Sequence, residues 1–118
     1  MGFDISLLDK ALEERRAEWA RRRIAMLEKV IAVLDEVAPA YGVDEAYIFG
    51  SLAKPGRYHQ GSDIDIAVRW GDRKDFFGLA GDGSRRLGQD IDILPLEKLH
   101  FAEKIEREGI RWTHAATS

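Results

Sequence analysis

The chain of 118 residues contains no cysteine and only three prolines. Without cysteine it forms neither a disulfide nor a thiolate metal site, which suits a reducing compartment. Its histidines, His59, His100 and His114, show no metal-ligand spacing. Long hydrophobic runs are also missing. The longest is Val30–Leu34, far short of the ~20 residues that cross a bilayer. The acidic, helix-like amino terminus lacks a secretory pattern, so the expected location is the cytoplasm, with no membrane partner. Nor does one sign of charge dominate: 18 basic against 21 acidic residues leave a formal charge of -3. Such a balance supplies no global field for nucleic acid, so direct nucleic-acid binding is not expected and any phosphate contact must be local.

What is present is 45% apolar and 33% charged residues without repeats, low-complexity tracts or an internal linker. These features describe one domain, residues 1–118, with a helical extension over about 1–22. From Asp4 to Ala38 the chain is rich in Ala, Leu, Glu, Arg and Lys and free of internal Gly and Pro, which predicts helix. Ala20, Ile24, Leu27, Ile31, Leu34 and Ala38 step by four and three and form one candidate buried stripe. Leu8, Leu12 and Trp19 mark an earlier one, and the mismatch predicts a kink or a projecting first helix near Ala20–Arg23. Pro39 and Gly42 end the helix. Strands are expected at Glu45–Phe49, Asp63–Trp70 and Gln89–Leu94, with a short edge strand at Ile110–Thr113. Helices are expected over Asp72–Leu87, broken or mobile at Gly81 and Gly83, and over Pro95–Glu108. The fold class is α+β: a small mixed sheet flanked by helices on one side.

The carboxylates in the strands require explanation. Residues two apart on a strand share a face, so Asp63 and Asp65 set two carboxylates about 6.5 Å apart while Ile64 and Ile66 enter the core. Asp90 and Asp92 repeat the device around Ile91 and Ile93. One such pair is ordinarily the polar face of an amphipathic strand. Two pairs on neighbouring strands repel unless cations occupy the patch, and oxygen ligands alone select Mg²⁺ or Mn²⁺ before Zn²⁺. Upstream, Gly50-Ser51 directly follows an apolar strand. A glycine there lets backbone amides approach a phosphate, and the serine adds a hydroxyl.

Tyr47-Ile48-Phe49-Gly50-Ser51, eleven intervening residues and then Asp63-Ile64-Asp65-Ile66 resemble the signature of the DNA polymerase β superfamily of nucleotidyltransferases. With its short length the chain is similar to the minimal nucleotidyltransferases (MNT), many of which are antitoxins paired with a HEPN-domain toxin. The resemblance runs from about Leu27 to Trp112. It implies a palm-like nucleotidyltransferase fold in which Asp63 and Asp65 hold two Mg²⁺ ions. Asp92 is chosen as the third, catalytic carboxylate because Ile91-Asp92-Ile93-Leu94 matches the family's segment. Asp90 shares its face and stays an alternative.

The implied reaction moves AMP from ATP to a hydroxyl, with pyrophosphate leaving. Gly50 and Ser51 would grip the terminal phosphates, and Lys54 and Arg57 lie in the loop where a cation reaches triphosphate oxygens. A loop cation is otherwise merely solvated. Ser62 is expected to shape the turn before Asp63. Arg21-Arg22-Arg23 is flanked by Glu13, Glu14, Glu18 and Glu28, so it reads as a solvated or partner-contacting helix face. A chain without a substrate lobe is expected to find its acceptor-binding surface on another molecule or another subunit, and the resemblance points to a tyrosine of a HEPN ribonuclease toxin. The competing reading is a non-catalytic antitoxin that neutralises the toxin by occlusion. An exposed apolar stripe on the first helix would indicate such a partner or a homo-oligomer.

Overall fold

A computed structural model describes residues 5–70 and 75–114. The elements are α1 (Ile5–Val37), β1 (Val43–Phe49), β2 (Ile64–Trp70), α2 (Phe76–Leu87), β3 (Ile91–Pro95), α3 (Ala102–Glu108) and β4 (Ile110–Thr113). The sheet order is β3-β2-β1-β4. β1 pairs antiparallel with β2 and β4, and β2 pairs parallel with β3, so the sheet is mixed. The α+β expectation is met. The expected helix starts at Asp4 and Asp72 lie outside the described residues.

Alternation along the strands sorts side chains into two layers. Ala46, Ile48, Ile64, Ile66, Val68 and Ile91 point to the face covered by α1 and α2, where the main core sits. Tyr47 and Ala67 point the other way and meet Leu96 and Ile105 in a smaller cluster. The two long helices thus share one side of the sheet. The opposite side is covered at one end only, by α3 and the 3-10 turn Leu96–Lys98.

Two expectations about helices need correction. α1 is a single 33-residue helix with no break at Ala20–Arg23. Its buried residues are Leu27, Val30, Leu34 and Val37, whereas Ile24 and Ile31 remain 49% and 37% exposed. Leu27 and Leu34 of the expected stripe also belong to a second phase with Val30 and Val37, and it is this phase that the sheet buries. That phase continues straight back through Arg23 to Trp19, Leu12 and Leu8, so no kink is required. Arg23 fills the seam by donating from Nε to the Leu52 carbonyl at 2.8 Å. Trp19 meets Tyr58 edge-on, with ring centroids 6.1 Å apart.

α2 is likewise unbroken. A β-carbon at Gly83 would come within 3.2 Å of the Ile91 side chain. This glycine therefore lets α2 lie close on β3, and the packing outweighs its low helix propensity. Asp75 caps the helix by accepting from the Gly78 amide at 2.8 Å.

The first turns of α1 extend past the sheet. A 33-residue helix is about 50 Å long, and the molecule measures 69 × 29 × 28 Å. Its radius of gyration is 17.3 Å, against about 13.5 Å for a compact chain of this length. Ile5, Leu8 and Leu12 are 62%, 51% and 40% exposed. No described helix is long and apolar enough to cross a membrane. Leu34→Ala is expected to cost about 2–5 kcal/mol and Ile24→Ala less than about 1 kcal/mol in urea unfolding, because only the first leaves a cavity.

Candidate active site

β1 delivers the chain to Gly50, which turns with φ +75° into the 3-10 turn Gly50–Ala53. The turn is anchored by Leu52, which is fully buried, and by the bond from Arg23 to the Leu52 carbonyl. A side chain at Gly50 is excluded twice. Its φ is in the left-handed region, and a β-carbon would lie 2.6 Å from Asp65 Oδ2. The Asp65 carboxylate therefore rests against the glycine backbone. Gly50 makes room here for that carboxylate, a role additional to the phosphate approach expected from the sequence.

Strand register sets the next relation. Phe49 pairs with Asp65 across β1 and β2, and Asp65 pairs with Asp92 across β2 and β3. Directly paired positions project to the same face with α-carbons about 5 Å apart. Phe49, Asp65 and Asp92 accordingly form one row on the side of the sheet away from α1 and α2. Asp63 stands just before β2 and is exposed, as is Asp92, while Asp65 is half-buried. Burial, then the Asp92 charge, then the Asp63 charge push the Asp65 carboxyl above its ordinary pKa. Asp90 precedes β3 and is not among the charges acting on Asp65.

The loop before Asp63 is tied down by hydrogen bonds. Ser62 is buried, and its Oγ accepts from the His59 amide at 2.9 Å. Gln89 Nε2 donates to the Ser62 carbonyl at 3.1 Å. Ser62 thus shapes the turn, as expected, and Gln89 clips the start of β3 to the start of β2. The Gln89 role had no sequence signal, because it depends on strand order.

Lys54 Nζ stands 3.9 Å from Glu108 Oε2, with both side chains nearly half exposed. Arg57 lies in the exposed turn that follows, and among the described residues no hydrogen bond or ion pair brings its side chain to the carboxylates. The strands and the turn bring together Gly50, Asp63, Asp65 and Asp92, with Ser51 in the adjoining turn and Lys54 and Arg57 further along the same loop.

Among the described residues no three Asp, Glu or His side chains form a ready cation cage. The acidic row is open, as mutual repulsion between like charges favours. Its donor chemistry, carboxylate oxygens alone with a raised Asp65, fits a hard divalent cation that would relieve the repulsion.

The family description "Polymerase beta, Nucleotidyltransferase" matches residues 28–113, most of the chain. The chain belongs to this nucleotidyltransferase family. The matched span begins inside α1. A minimal nucleotidyltransferase of known structure is 28% identical with a TM-score of 0.57, over 84% of this chain and 93% of that one. A toxin–antitoxin complex solved with AMP-PNP is 28% identical with a TM-score of 0.57, covering 75% and 73% of the two chains. A protein from Sulfolobus solfataricus described as a nucleotidyltransferase is 28% identical with a TM-score of 0.50, covering 77% and 83%. No functionally curated protein matches the sequence. The observed mixed sheet with its helices accords with that nucleotidyltransferase fold.

Two outcomes follow from the Gly50–Asp65 contact. Gly50→Ala is expected to lose about 1–2 kcal/mol from backbone strain plus a collision term, and the second part should vanish when Gly50→Ala is combined with Asp65→Ala. Urea unfolding of the four chains measures both parts. The raised Asp65 carboxyl also means that the native state holds this proton more tightly than the unfolded chain. Stability from this group is therefore present below its unfolded pKa and falls as pH rises through its native pKa. In chelator-containing buffer Asp65→Asn should be more stable than the parent at neutral pH, with the advantage closing as pH falls below the carboxylate range.

Proposed function

We propose that the chain transfers AMP from ATP to a protein hydroxyl, a tyrosine of a HEPN ribonuclease toxin, and acts as the antitoxin of that pair. The observation that carries this reading is the Asp65–Asp92 register pair beside Gly50, with Asp63 acting on the same carboxyl. Membership of the nucleotidyltransferase family supports the reaction class. The structurally similar toxin–antitoxin complex with AMP-PNP supports the nucleotide and the biological setting. A second similar complex of this kind, MntA–HpeT, is 26% identical with a TM-score of 0.57.

In this reading the acceptor oxygen attacks the α-phosphorus, the bond from that phosphorus to the bridging oxygen breaks, and pyrophosphate departs. Asp63, Asp65 and Asp92 would hold two Mg²⁺ ions, which supply charge neutralisation and lower the acceptor pKa. Asp92, exposed beside the half-buried Asp65, takes the acceptor proton. Gly50 and Ser51 hold the outgoing phosphates with backbone amides and a hydroxyl, and Lys54 adds a cation at the turn. Asp90 plays no part. The exposed apolar residues Ile5, Leu8 and Leu12 on the projecting helix offer a protein partner a docking surface, in keeping with a protein acceptor.

Incubation with α-labelled ATP, Mg²⁺ and the product of the neighbouring gene tests the proposal. Label should move to the partner, and Asp63→Asn, Asp65→Asn or Asp92→Asn should each reduce transfer by more than about 100-fold, above the range seen for groups one shell outside a metal. Asp90→Asn should leave it within about threefold, as expected of an exposed side chain outside the machinery. Toxin neutralisation by the triple Asp→Asn chain, with no label transferred by the parent, would instead establish simple occlusion.

A further inference from the structure

The inner half of α1 packs its apolar stripe on the sheet, and the outer half carries the same stripe on through Trp19 to Leu12, Leu8 and Ile5, which stay exposed. At the junction a cleft of about 340 Å³ lies between α1 and the loop 56–59, with Leu12, Arg15, Arg16, Trp19, Tyr58 and His59 among its lining residues. These α1 residues all precede the span that matches the nucleotidyltransferase family, so the surface is an addition to that domain. We propose that it pairs with the same surface of a second copy of this chain: two α1 helices run antiparallel about a two-fold axis, and the first turns of each enter the cleft of the other. The inference stands apart from the transfer reaction, because it uses no residue of the carboxylate site.

The residues are spaced for such a pair. Ile5, Leu8, Leu12 and Trp19 advance by three, four and seven, which is the seam of two packed helices. Arg15 and Arg22 occupy the remaining seam positions. A parallel pair would set each arginine against its own copy. With the axis near Glu13, an antiparallel pair instead brings Leu8 of one protomer to Trp19 of the other, Leu12 to Arg15, and Ile5 to Arg22. Each arginine stem then lies along an aliphatic side chain and keeps its charge in water.

Charge selects the same direction and the same occupant. Residues 5–14 carry three acids and one lysine, whereas residues 15–23 carry five arginines and one glutamate. Asp9, Glu13, Glu14, Arg15 and Arg16 form no ion pair among the described residues. Arg15, Arg16 and Arg23 line the cleft, and no described acid does. Antiparallel pairing lays the acidic half of each helix on the basic half of the other and sets Asp9 of one protomer beside Arg16 of its partner; parallel pairing would oppose like charges. A two-fold contact requires both complementary features on one chain, and α1 has both. In the lone chain the first turns have nothing to pack on, and pairing supplies the missing surface.

The carboxylate row lies on the side of the sheet away from α1 and α2, so it stays open in the pair. The protein that Ile5, Leu8 and Leu12 receive is then a second copy, and an acceptor reaches the row of either protomer.

Sedimentation equilibrium of the full chain over a range of concentrations and salt tests the pairing. The parent should pass from monomer to dimer as concentration rises, and high salt should weaken the dimer. Leu8→Ala should weaken it by about 10-fold or more, the effect of withdrawing one leucine side chain from an interface. Leu8 is exposed in the lone chain, so the unfolding midpoint of a dilute sample should not change. One chain carrying Asp9→Lys with Glu13→Lys, and another carrying Arg15→Glu with Arg16→Glu, should each self-associate about 10-fold or more weakly than the parent, and an equimolar mixture of the two should dimerise again. A parent that stays monomeric at every soluble concentration would overturn the proposal, as would a dimer indifferent to Leu8→Ala and to both charge variants. A monomeric parent whose complex with the product of the neighbouring gene is weakened by Leu8→Ala would overturn it in favour of that partner.

Discussion

The contact on which the site depends is that of the Asp65 carboxylate with the Gly50 backbone, in a half-buried position shared with the charges of Asp92 and Asp63. Left to itself such crowding is unfavourable. The fold sustains it because the same strands carry Ile64, Ile66 and Ile91 into the core on their other face. Slipping either strand by one residue would relieve the repulsion only by exposing those side chains and burying the carboxylates. The apolar half of each strand thus holds the acidic half in a place it would not choose. Active sites commonly store unfavourable electrostatics in this way.

Several smaller bonds keep the surrounding loops in register. Arg23 fastens the glycine turn to α1, and Gln89 fastens the turn at Ser62 to the start of β3. Trp112 Nε1 donates to Asp35 Oδ1 at 2.7 Å, joining edge strand β4 to the same helix. The Ser84 hydroxyl accepts from the Ile91 amide at 3.0 Å and sets α2 against β3. Three of these four bonds span elements distant in sequence, and the Gln89 bond ties together the starts of the two strands that carry the acids. Such supporting shells determine how closely a site approaches working geometry.

The strands and the acidic pairs were legible because alternation is local: Asp-Ile-Asp-Ile states which residues are buried and which share the other face. Whether Asp90 or Asp92 stands beside Asp65 was not, since that depends on the parallel register of β2 with β3. The phase of α1 was misread for a related reason. Leu27 and Leu34 belong to two overlapping stripes, and only the sheet decides between Ile24 with Ile31 and Val30 with Val37. The glycines of α2 predicted a break because propensity is counted residue by residue, whereas Gly83 is explained by Ile91, a neighbour in space. The cleft between α1 and the loop at His59 has no local pattern at all. Membership of the polymerase beta nucleotidyltransferase family accords with the part that was legible, the Gly-Ser turn and the spaced carboxylates.

The projecting half of α1 has a thermodynamic consequence. Beyond Trp19 toward the amino terminus no described residue is buried. Helicity there rests on backbone bonds and, at its inner edge, on the exposed pair of Arg22 with Glu18, which contributes little. Helical segments of this length are marginal in water when nothing packs on them. In the lone chain the rod is therefore two cooperative units in series: a carboxyl-terminal part that melts with the sheet, and an amino-terminal part that frays by itself and exchanges its amide protons far sooner.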